Sequence, residues 1–191
     1  MARLVGDGRS PPRAARPTRV IGIDPGSRVT GWGVIELQGR RMALVACGAV
    51  TADEREPVPR RLALLADGLR RVLRTYRPEA AAVELAFFGK SASASLRIGE
   101  ARGAALVELA RAGVPVEEFT PSEVKKSVTG RGDAHKRQVQ CMAGALLGCA
   151  RAPEPLDASD ALAAAICLAH RLGSPDGRSV GSGPSRRRRP R

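Results

Sequence analysis

The sequence predicts an α/β domain with a five-stranded mixed sheet flanked by helices, over residues 20–172. Two observations lead to this prediction. Three short apolar segments follow one another with only turns between them, and the later apolar segments alternate with helical patterns. Short turns favour an antiparallel meander for the first three strands. Helical crossovers place the fourth and fifth strands parallel to the first.

The strand predictions depend on short apolar runs that end at turn residues or at charges. The first run ends at Asp24 before a Pro-Gly turn, and the fourth is apolar until its last residue, Glu84. A turn at residues 38–40 separates the second run from the third. The five strands are predicted at residues 20–24, 30–37, 42–50, 80–84 and 114–119.

Helices are predicted where apolar residues recur at spacings of three and four. The first helix carries Leu62, Leu65, Leu69 and Leu73 on one face and arginines on the other. A glycine-bearing loop at residues 129–132 separates the third helix from the fourth. The five helices are predicted at residues 59–76, 91–112, 121–128, 134–150 and 157–172.

The net charge of +13 is concentrated at the two ends of the chain. Residues 1–19 hold five Arg and one Asp, and residues 171–191 hold seven Arg and one Asp. Both ends lack a hydrophobic period, so residues 1–19 and 173–191 are predicted to be disordered basic tails. Such a tail either binds phosphates through counterion release or only aids solubility.

Several classes of protein are excluded by composition. No apolar run approaches the roughly 20 residues that a membrane span needs, and the N-terminal residues lack the apolar core of a secretory signal. The four cysteines, which include no CxxC pair, are interpreted as small buried side chains in a reducing compartment. We therefore expect a cytoplasmic protein that does not bind membranes.

Four carboxylates from three distant segments are expected to converge. Asp24 and Glu84 end strands predicted to be parallel, and Asp157 and Asp160 share one face of the last helix. Each has a structural alternative: a turn residue, a charge at a strand end, or a capping box with Asp157 as the N-cap. Together they would repel strongly unless divalent cations such as Mg²⁺ or Mn²⁺ bound them. Two such ions about 4 Å apart can catalyse phosphodiester hydrolysis.

The basic residues fit a phosphate substrate. The chain has only four lysines, of which Lys125, Lys126 and Lys136 flank the loop that carries Arg131, while Lys90 follows Glu84 closely. Phe87 and Phe88 stand beside Lys90 on a predicted loop, where an aromatic side chain could stack on a base. The alternative is that both rings pack in the core.

Four segments of the sequence resemble the RuvC family of Holliday-junction resolvases, over roughly residues 20–170. They are IGIDPGSRVTGWGVI, AVELAFFGKSASASLRIGEARG, TPSEVKKSVTGRGDAHKRQVQ and LDASDALAAAICLAH, in this order. The resemblance implies an RNase H-like fold, a homodimer and symmetric, Mg²⁺-dependent cutting of four-way DNA junctions during recombination and repair. It also implies partnership with the RuvA–RuvB branch-migration complex.

Roles for individual residues follow from the same resemblance. It implies that the four acids bind metal, with two Mg²⁺ per subunit and Mn²⁺ as a substitute. It places active-site lysines at Lys125 and Lys136 and a junction-opening aromatic residue at Phe87. Lys90, Lys126 and Arg131 are then expected to bind flanking DNA phosphates. The chain departs from the family's usual residues at Leu85, Trp32 and His135, none of which is an expected metal ligand.

Three other functions stay open from the sequence. An ATP-binding protein of the sugar-kinase or actin type would need two related domains, and the chain has room for one. A catalytically silent junction-binding protein and an RNase H-type nuclease with another substrate are the other two.

For the dimer contact we expect the helix at residues 91–112, because Gly99 and Gly103 would let a second helix approach closely. The alternative is that this glycine face packs on the sheet.

Overall fold

The computed structural model describes residues 17–85 and 92–173. Within them the chain forms five strands and five helices in the predicted order. The strands are β1 (Thr18–Asp24), β2 (Val29–Gln38), β3 (Arg41–Thr51), β4 (Ala80–Glu84) and β5 (Val116–Phe119). The helices are α1 (Val58–Tyr76), α2 (Ala92–Arg111), α3 (Pro121–Thr129), α4 (Lys136–Leu146) and α5 (Leu156–Leu172).

The strands form one mixed sheet in the order β3-β2-β1-β4-β5. The pairs β1–β2 and β2–β3 are antiparallel, whereas β4 runs parallel to β1 and β5 runs parallel to β4. The predicted meander and parallel crossovers are therefore confirmed. The parallel strands β1, β4 and β5 end at the same edge of the sheet, which is called the carboxyl edge. The β2–β3 hairpin turn lies at the opposite edge.

Side-chain alternation along the strands divides the core between two faces of the sheet. On one face Val20 and Ala82 pack with residues of α3, α4 and α5. On the other face Ile21 and Val83 pack with residues of α1 and α2. The result is a three-layer α/β/α domain in which α5 is the most buried helix. Eleven of its residues are buried, which are all residues from 158 to 169 except Asp160.

Two predicted elements are shorter in the structure than in the prediction by two residues or more at one or both ends. The predicted fourth helix ran to residue 150, but α4 ends at Leu146, because Gly148 adopts a left-handed φ of 68° that stops the helix. The predicted fifth strand began at residue 114, but β5 begins at Val116. Val114 instead donates its backbone N–H to Leu109 at the end of α2.

The cysteine prediction is confirmed only in part. All four are free, but only Cys167 is buried, and Cys141 is exposed. The reason is the helical period: Val139 and Ala143 turn one face of α4 into the core, and position 141 points away from it. No helix in the described ranges is long and apolar enough to cross a membrane. Most of the two predicted tails lies outside these ranges. The predicted boundary of the N-terminal tail at residue 19 is wrong, because Thr18 and Arg19 pair with Leu37 and Glu36 of β2 and begin β1.

Candidate metal and DNA site

The parallel pairing of β1 with β4 places two carboxylates side by side. Ile23 pairs with Val83, so the next residues, Asp24 and Glu84, end the two strands at the same level. Because side chains alternate along a strand, Asp24 and Glu84 point to the same face of the sheet as Gly22 and Ala82, which is the face towards α5. The two side chains are thus half-buried at the carboxyl edge of the sheet, on the face that α5 covers.

Helix α5 approaches this part of the sheet unusually closely, because glycines stand where it crosses β1 and β2. A Cβ atom on Gly22 would lie 1.8 Å from the carbonyl oxygen of Ala161, and one on Gly31 would lie 2.1 Å from that of Asp157. Any side chain at either position would push the helix away. The role of these glycines was not predicted from the sequence, although glycine inside an apolar strand is a known sign of close backbone approach.

The close approach brings Asp157 and Asp160 to the strand carboxylates. Asp160 lines the same cavity as Asp24 and Glu84, and the charge of Asp157 acts on Asp24. The alternative interpretation of Asp157 as an N-cap is wrong, because α5 begins after Pro155 with no side-chain cap. The sequence does contain a capping box, but it is formed by Thr120 and Glu123 at the start of α3.

The first turn of α5 is held in place by one backbone carbonyl. The buried Ser159 hydroxyl donates to the carbonyl oxygen of Pro153 at 2.7 Å, and Gln140 Nε2 on α4 donates to the same oxygen at 3.0 Å. Hydrogen bonds from two helices to one acceptor fix the α4–α5 connection. They therefore help to fix the position of Asp157 and Asp160.

Two of the four lysines complete the cavity. Lys136 is the first residue of α4, and its Nζ donates to Asp160 Oδ2 at 2.9 Å. Lys125 lies on α3 and lines the same cavity of about 100 Å³. The full set of lining residues is Asp24, Glu84, Pro121, Val124, Lys125, Lys136, Val139, Asp160 and Ala163.

Burial and mutual repulsion make the strand carboxylates weak acids. Burial first, and the negative charge of Asp160 second, raise the pKa of Asp24 to about 6. Burial first, and the charge of Asp24 second, raise the pKa of Glu84 to about 7. The hydrogen bond from Lys136 to Asp160 raises the pKa of the lysine. A cluster of this kind holds protons readily near neutral pH and would release them to a bound cation.

The donor set fits a hard divalent cation, since carboxylate oxygens are the ligands that Mg²⁺ and Mn²⁺ prefer. The side-chain positions differ from those of an assembled metal centre. Across residues 17–85 and 92–173, no three Asp, Glu, His or Cys side chains are arranged to hold one ion together. The ammonium group of Lys136 supplies positive charge beside Asp160 instead.

Of the other expected DNA contacts, some are exposed on the surface and the rest lie outside the described ranges. Lys126 is exposed on α3. Arg131 is exposed in the α3–α4 connection, where its Nη2 pairs with Asp133 Oδ2 at 3.1 Å. Phe87, Phe88 and Lys90 lie outside the described residues.

The family model for "Crossover junction endodeoxyribonuclease RuvC" matches residues 20–168, which include every element from β2 to α4 and most of β1 and α5. The chain belongs to the RuvC family. A RuvC protein of Chloroflexus aggregans is 49% identical over 152 residues, which are 80% of this chain and 93% of that protein. A RuvC protein of Rubrobacter xylanophilus is 46% identical over 160 residues, 83% of this chain and 89% of that protein.

Solved RuvC structures agree with this assignment. Thermus thermophilus RuvC, solved in complex with a Holliday junction substrate, is 37% identical and superposes with a TM-score of 0.75. The match covers 80% of this chain and 93% of that one. The yeast mitochondrial Holliday junction resolvase Ydc2 is only 11% identical, with a TM-score of 0.56, and shares the fold alone. The RNase H-like fold expected from the sequence is thereby confirmed.

Proposed function

We propose that this RuvC-family chain is a structure-selective endonuclease that resolves four-way DNA junctions by paired, symmetric, metal-dependent phosphodiester hydrolysis, in recombination and DNA repair. The observation that carries the proposal is the cavity at the carboxyl edge of the sheet. There, Asp24, Glu84 and Asp160 from three separate elements meet two lysines. Membership of the family supplies the junction as the substrate.

The acidic residues would hold the metal ions. Asp24, Glu84, Asp157 and Asp160 form an all-oxygen donor set suited to Mg²⁺, with two ions per subunit and Mn²⁺ as a substitute. When bound, the ions supply an activated water and stabilise the leaving oxygen. The raised pKa values of Asp24 and Glu84 mean that this donor set loses protons as it binds cations.

The lysines would act on the phosphate. Lys136 and Lys125 lie at the wall of the cavity that the carboxylates line, where a positive charge can offset charge that develops on the phosphate oxygens. Lys136 also holds Asp160 in place through its 2.9 Å hydrogen bond. Lys126 is exposed on the same helix as Lys125 and suits a flanking phosphate. Arg131, balanced by Asp133, is proposed as a flanking contact that would have to leave its ion pair.

Two symmetric cuts need two active sites, so the chain would work as a homodimer with two-fold symmetry. Helix α2 offers the contact surface. Ala101, Ala105 and Leu109 turn its inner face into the core, while Gly99 and Gly103 have open space around them. The glycine face therefore does not pack on the sheet. Leu96 and Val107 continue it as exposed apolar side chains, 65% and 48% exposed, at helical spacing.

Three further expectations stay predictions from the sequence. Phe87 would stack in the opened junction and Lys90 would bind a flanking phosphate, but both residues lie outside the described ranges. Partnership with the RuvA–RuvB branch-migration complex is implied by the family and has no surface assigned to it.

The decisive experiment is incubation of the purified chain with a synthetic four-way junction and Mg²⁺, with the cuts mapped on all four strands. Paired cuts at symmetric positions on two opposed strands, lost on chelation, are expected. Binding without cuts would identify a silent junction-binding protein. Cutting of an RNA–DNA hybrid in preference to the junction would identify an RNase H-type nuclease.

A further inference from the structure

A second cavity opens at the same carboxyl edge of the sheet, on the face opposite the carboxylates. It has a volume of about 620 Å³ and lies between the loop after β1, the turn before α1 and the first turns of α2. It is defined by Ser27, Arg28, Glu54, Arg55, Arg61, Ser93, Ala94, Arg97 and Ile98, and is called here the arginine cleft.

The charge of the arginine cleft is strongly positive. Four arginines line it and Glu54 is its one acidic lining residue. Glu54 is paired with Arg28. Within the described part of the chain, Arg55 and Arg97 are exposed and have no carboxylate partner. The cleft therefore presents an excess of three positive charges to whatever enters it.

Arg61 gives the cleft a fixed and partly unsatisfied guanidinium group. The residue is only 8% exposed, and no carboxylate pairs with it in the described ranges. Its Nη1 donates to the carbonyl oxygens of Glu54 and Glu56 at 3.1 and 3.3 Å, which locks the side chain in place. Its buried Nε has no hydrogen-bond partner. A buried cation without a counterion is costly, and an anion in the cleft would offset this cost.

Two helices add to the preference for an anion, because both begin at the cleft. Arg61 lies in the first turn of α1, and Ser93 and Ala94 lie in the first turn of α2. Neither helix has an acidic residue in its first turn, and the N-cap of α1, Pro57, makes no side-chain cap. The partial positive charges of both helix N-termini therefore add to the positive potential of the cleft.

We propose that the arginine cleft binds the sugar-phosphate backbone of the DNA substrate at phosphates other than the scissile one. The proposal rests on the proposed function, because it assigns the cleft to the same substrate. Arg28 is four residues beyond Asp24, so their Cα atoms are separated by at most about 14 Å. This distance corresponds to about four nucleotide steps along one strand of B-form DNA. The cleft would therefore hold the substrate within a few nucleotides of the cut, across the sheet edge.

The test uses the full chain and a synthetic four-way junction in EDTA, so that binding is measured without cutting. The test variant is the double change Arg55→Ala and Arg97→Ala, at exposed side chains whose loss does not disturb the core. The matched control is Arg40→Ala and Arg71→Ala. It removes the same charge at exposed positions outside the cleft, on the β2–β3 hairpin and in the middle of α1.

The readout is the slope of log Kd against log salt between 50 and 200 mM. Each phosphate contact contributes about 0.9 to this slope. We expect the cleft variant to have a slope smaller by about 1.8, so that its affinity falls about 12-fold less than that of the parent over this fourfold salt range. The control is expected to keep the parental slope. Equal slopes for the cleft variant and its control would overturn the proposal.

A second measurement localises the contact. Neutral methylphosphonate linkages are placed one at a time within about four nucleotides of the cut. At some positions the neutral linkage should weaken junction binding by the parent and by the control variant. At the same positions it should not weaken binding by the cleft variant, which has already lost the contact. Equal losses in all three proteins would also refute the proposal. If the chain binds and cuts the junction but the linkages weaken binding equally in all three proteins, the proposed role of the arginine cleft alone is contradicted. A chain that neither binds nor cuts the junction contradicts the proposed function as well.

Discussion

The ammonium group of Lys136 lies 2.9 Å from the carboxylate of Asp160, although the two residues are 24 positions apart. The contact joins the first residue of α4 to the fifth residue of α5. It places the ammonium group of Lys136 beside Asp160, where it acts on the charges of Asp24 and Glu84, although the lysine side chain is 63% exposed. We therefore expect Lys136 to act on the reacting phosphate as well as to balance the carboxylates.

Replacement of Lys136 should slow the chemical step. Lys136→Ala removes a positive charge from the wall of the cavity, and the loss of one such electrostatic group costs about 10²–10³-fold in rate. Single-turnover cleavage of a four-way junction at saturating enzyme measures this step. An unchanged rate would remove Lys136 from the active site.

Lys126→Ala is the matched control on α3. Lys126 is exposed and does not line the cavity, so its loss should weaken binding and reduce the salt slope by about 1. If Lys126→Ala lowered the single-turnover rate as much as Lys136→Ala, proximity to the carboxylates would not explain a catalytic role of Lys136.

Glu84→Gln should abolish cleavage and leave junction binding intact or improved. The change preserves the shape of the side chain, removes a proposed metal ligand and deletes one negative charge that repels phosphate. Cleavage and binding are measured on the same junction. A variant that keeps most of its cleavage activity would exclude Glu84 from the metal site.

The metal-free protein should lose stability as the pH rises from about 4 to about 7. The folded-state pKa values of Asp24 and Glu84 are raised to about 6 and about 7, so the folded state binds more protons than the unfolded state in this window. The contribution of these groups is fully present below their ordinary pKa values and is lost as the pH passes through the raised ones. Urea denaturation in EDTA at a series of pH values measures this slope.

Glu84→Gln serves as the control for that titration. It should flatten the decline and make the metal-free protein more stable than the parent at pH 8, where the parent holds repelling carboxylates. Addition of Mg²⁺ at pH 8 should stabilise the parent more than the variant. Identical pH profiles for the two proteins would show that the cluster does not carry the raised pKa values.

Gly22→Ala should disrupt the domain rather than only the site. The new Cβ would meet the Ala161 carbonyl at 1.8 Å, so α5 would have to move away from β1. We expect a loss of stability of at least about 1–3 kcal/mol, the usual cost of overpacking, measured by urea denaturation. Gly39→Ala is the comparison, because its Cβ would meet nothing within 4 Å and only its φ of 62° opposes the change. A smaller loss at Gly22 than at Gly39 would contradict the close-approach argument.

Gly103→Arg should convert a dimer into a monomer. Gly103 lies in open space on the outer face of α2, so the change is compatible with folding but blocks the approach of a second helix. Sedimentation velocity at micromolar concentration measures the state, and Gln38→Arg on the exposed hairpin is the control. A strictly monomeric parent, alone and on DNA, would refute the dimer itself.

The directions of the strands could be predicted from the sequence, because short turns and helical crossovers leave few topologies. The order of the strands, with β4 between β1 and β5, is seen only in the structure. The same logic identified Asp24 and Glu84, since strand ends mark the carboxyl edge of a parallel sheet. The exact ends of β5 and α4 could not be predicted. They depend on tertiary contacts and on the left-handed backbone at Gly148.

What the sequence determined by itself was the list of charged groups: four acids at the ends of strands and at the start of α5, and lysines around one loop. Only the tertiary structure decided which of them meet. Gly22 and Gly31 let α5 approach the sheet, and the start of α4 then brings Lys136 to Asp160. The arginine cleft was also decided by packing, since Arg28, Arg61 and Arg97 come from three separate segments. Such convergence depends on distances between elements, which local sequence patterns do not encode.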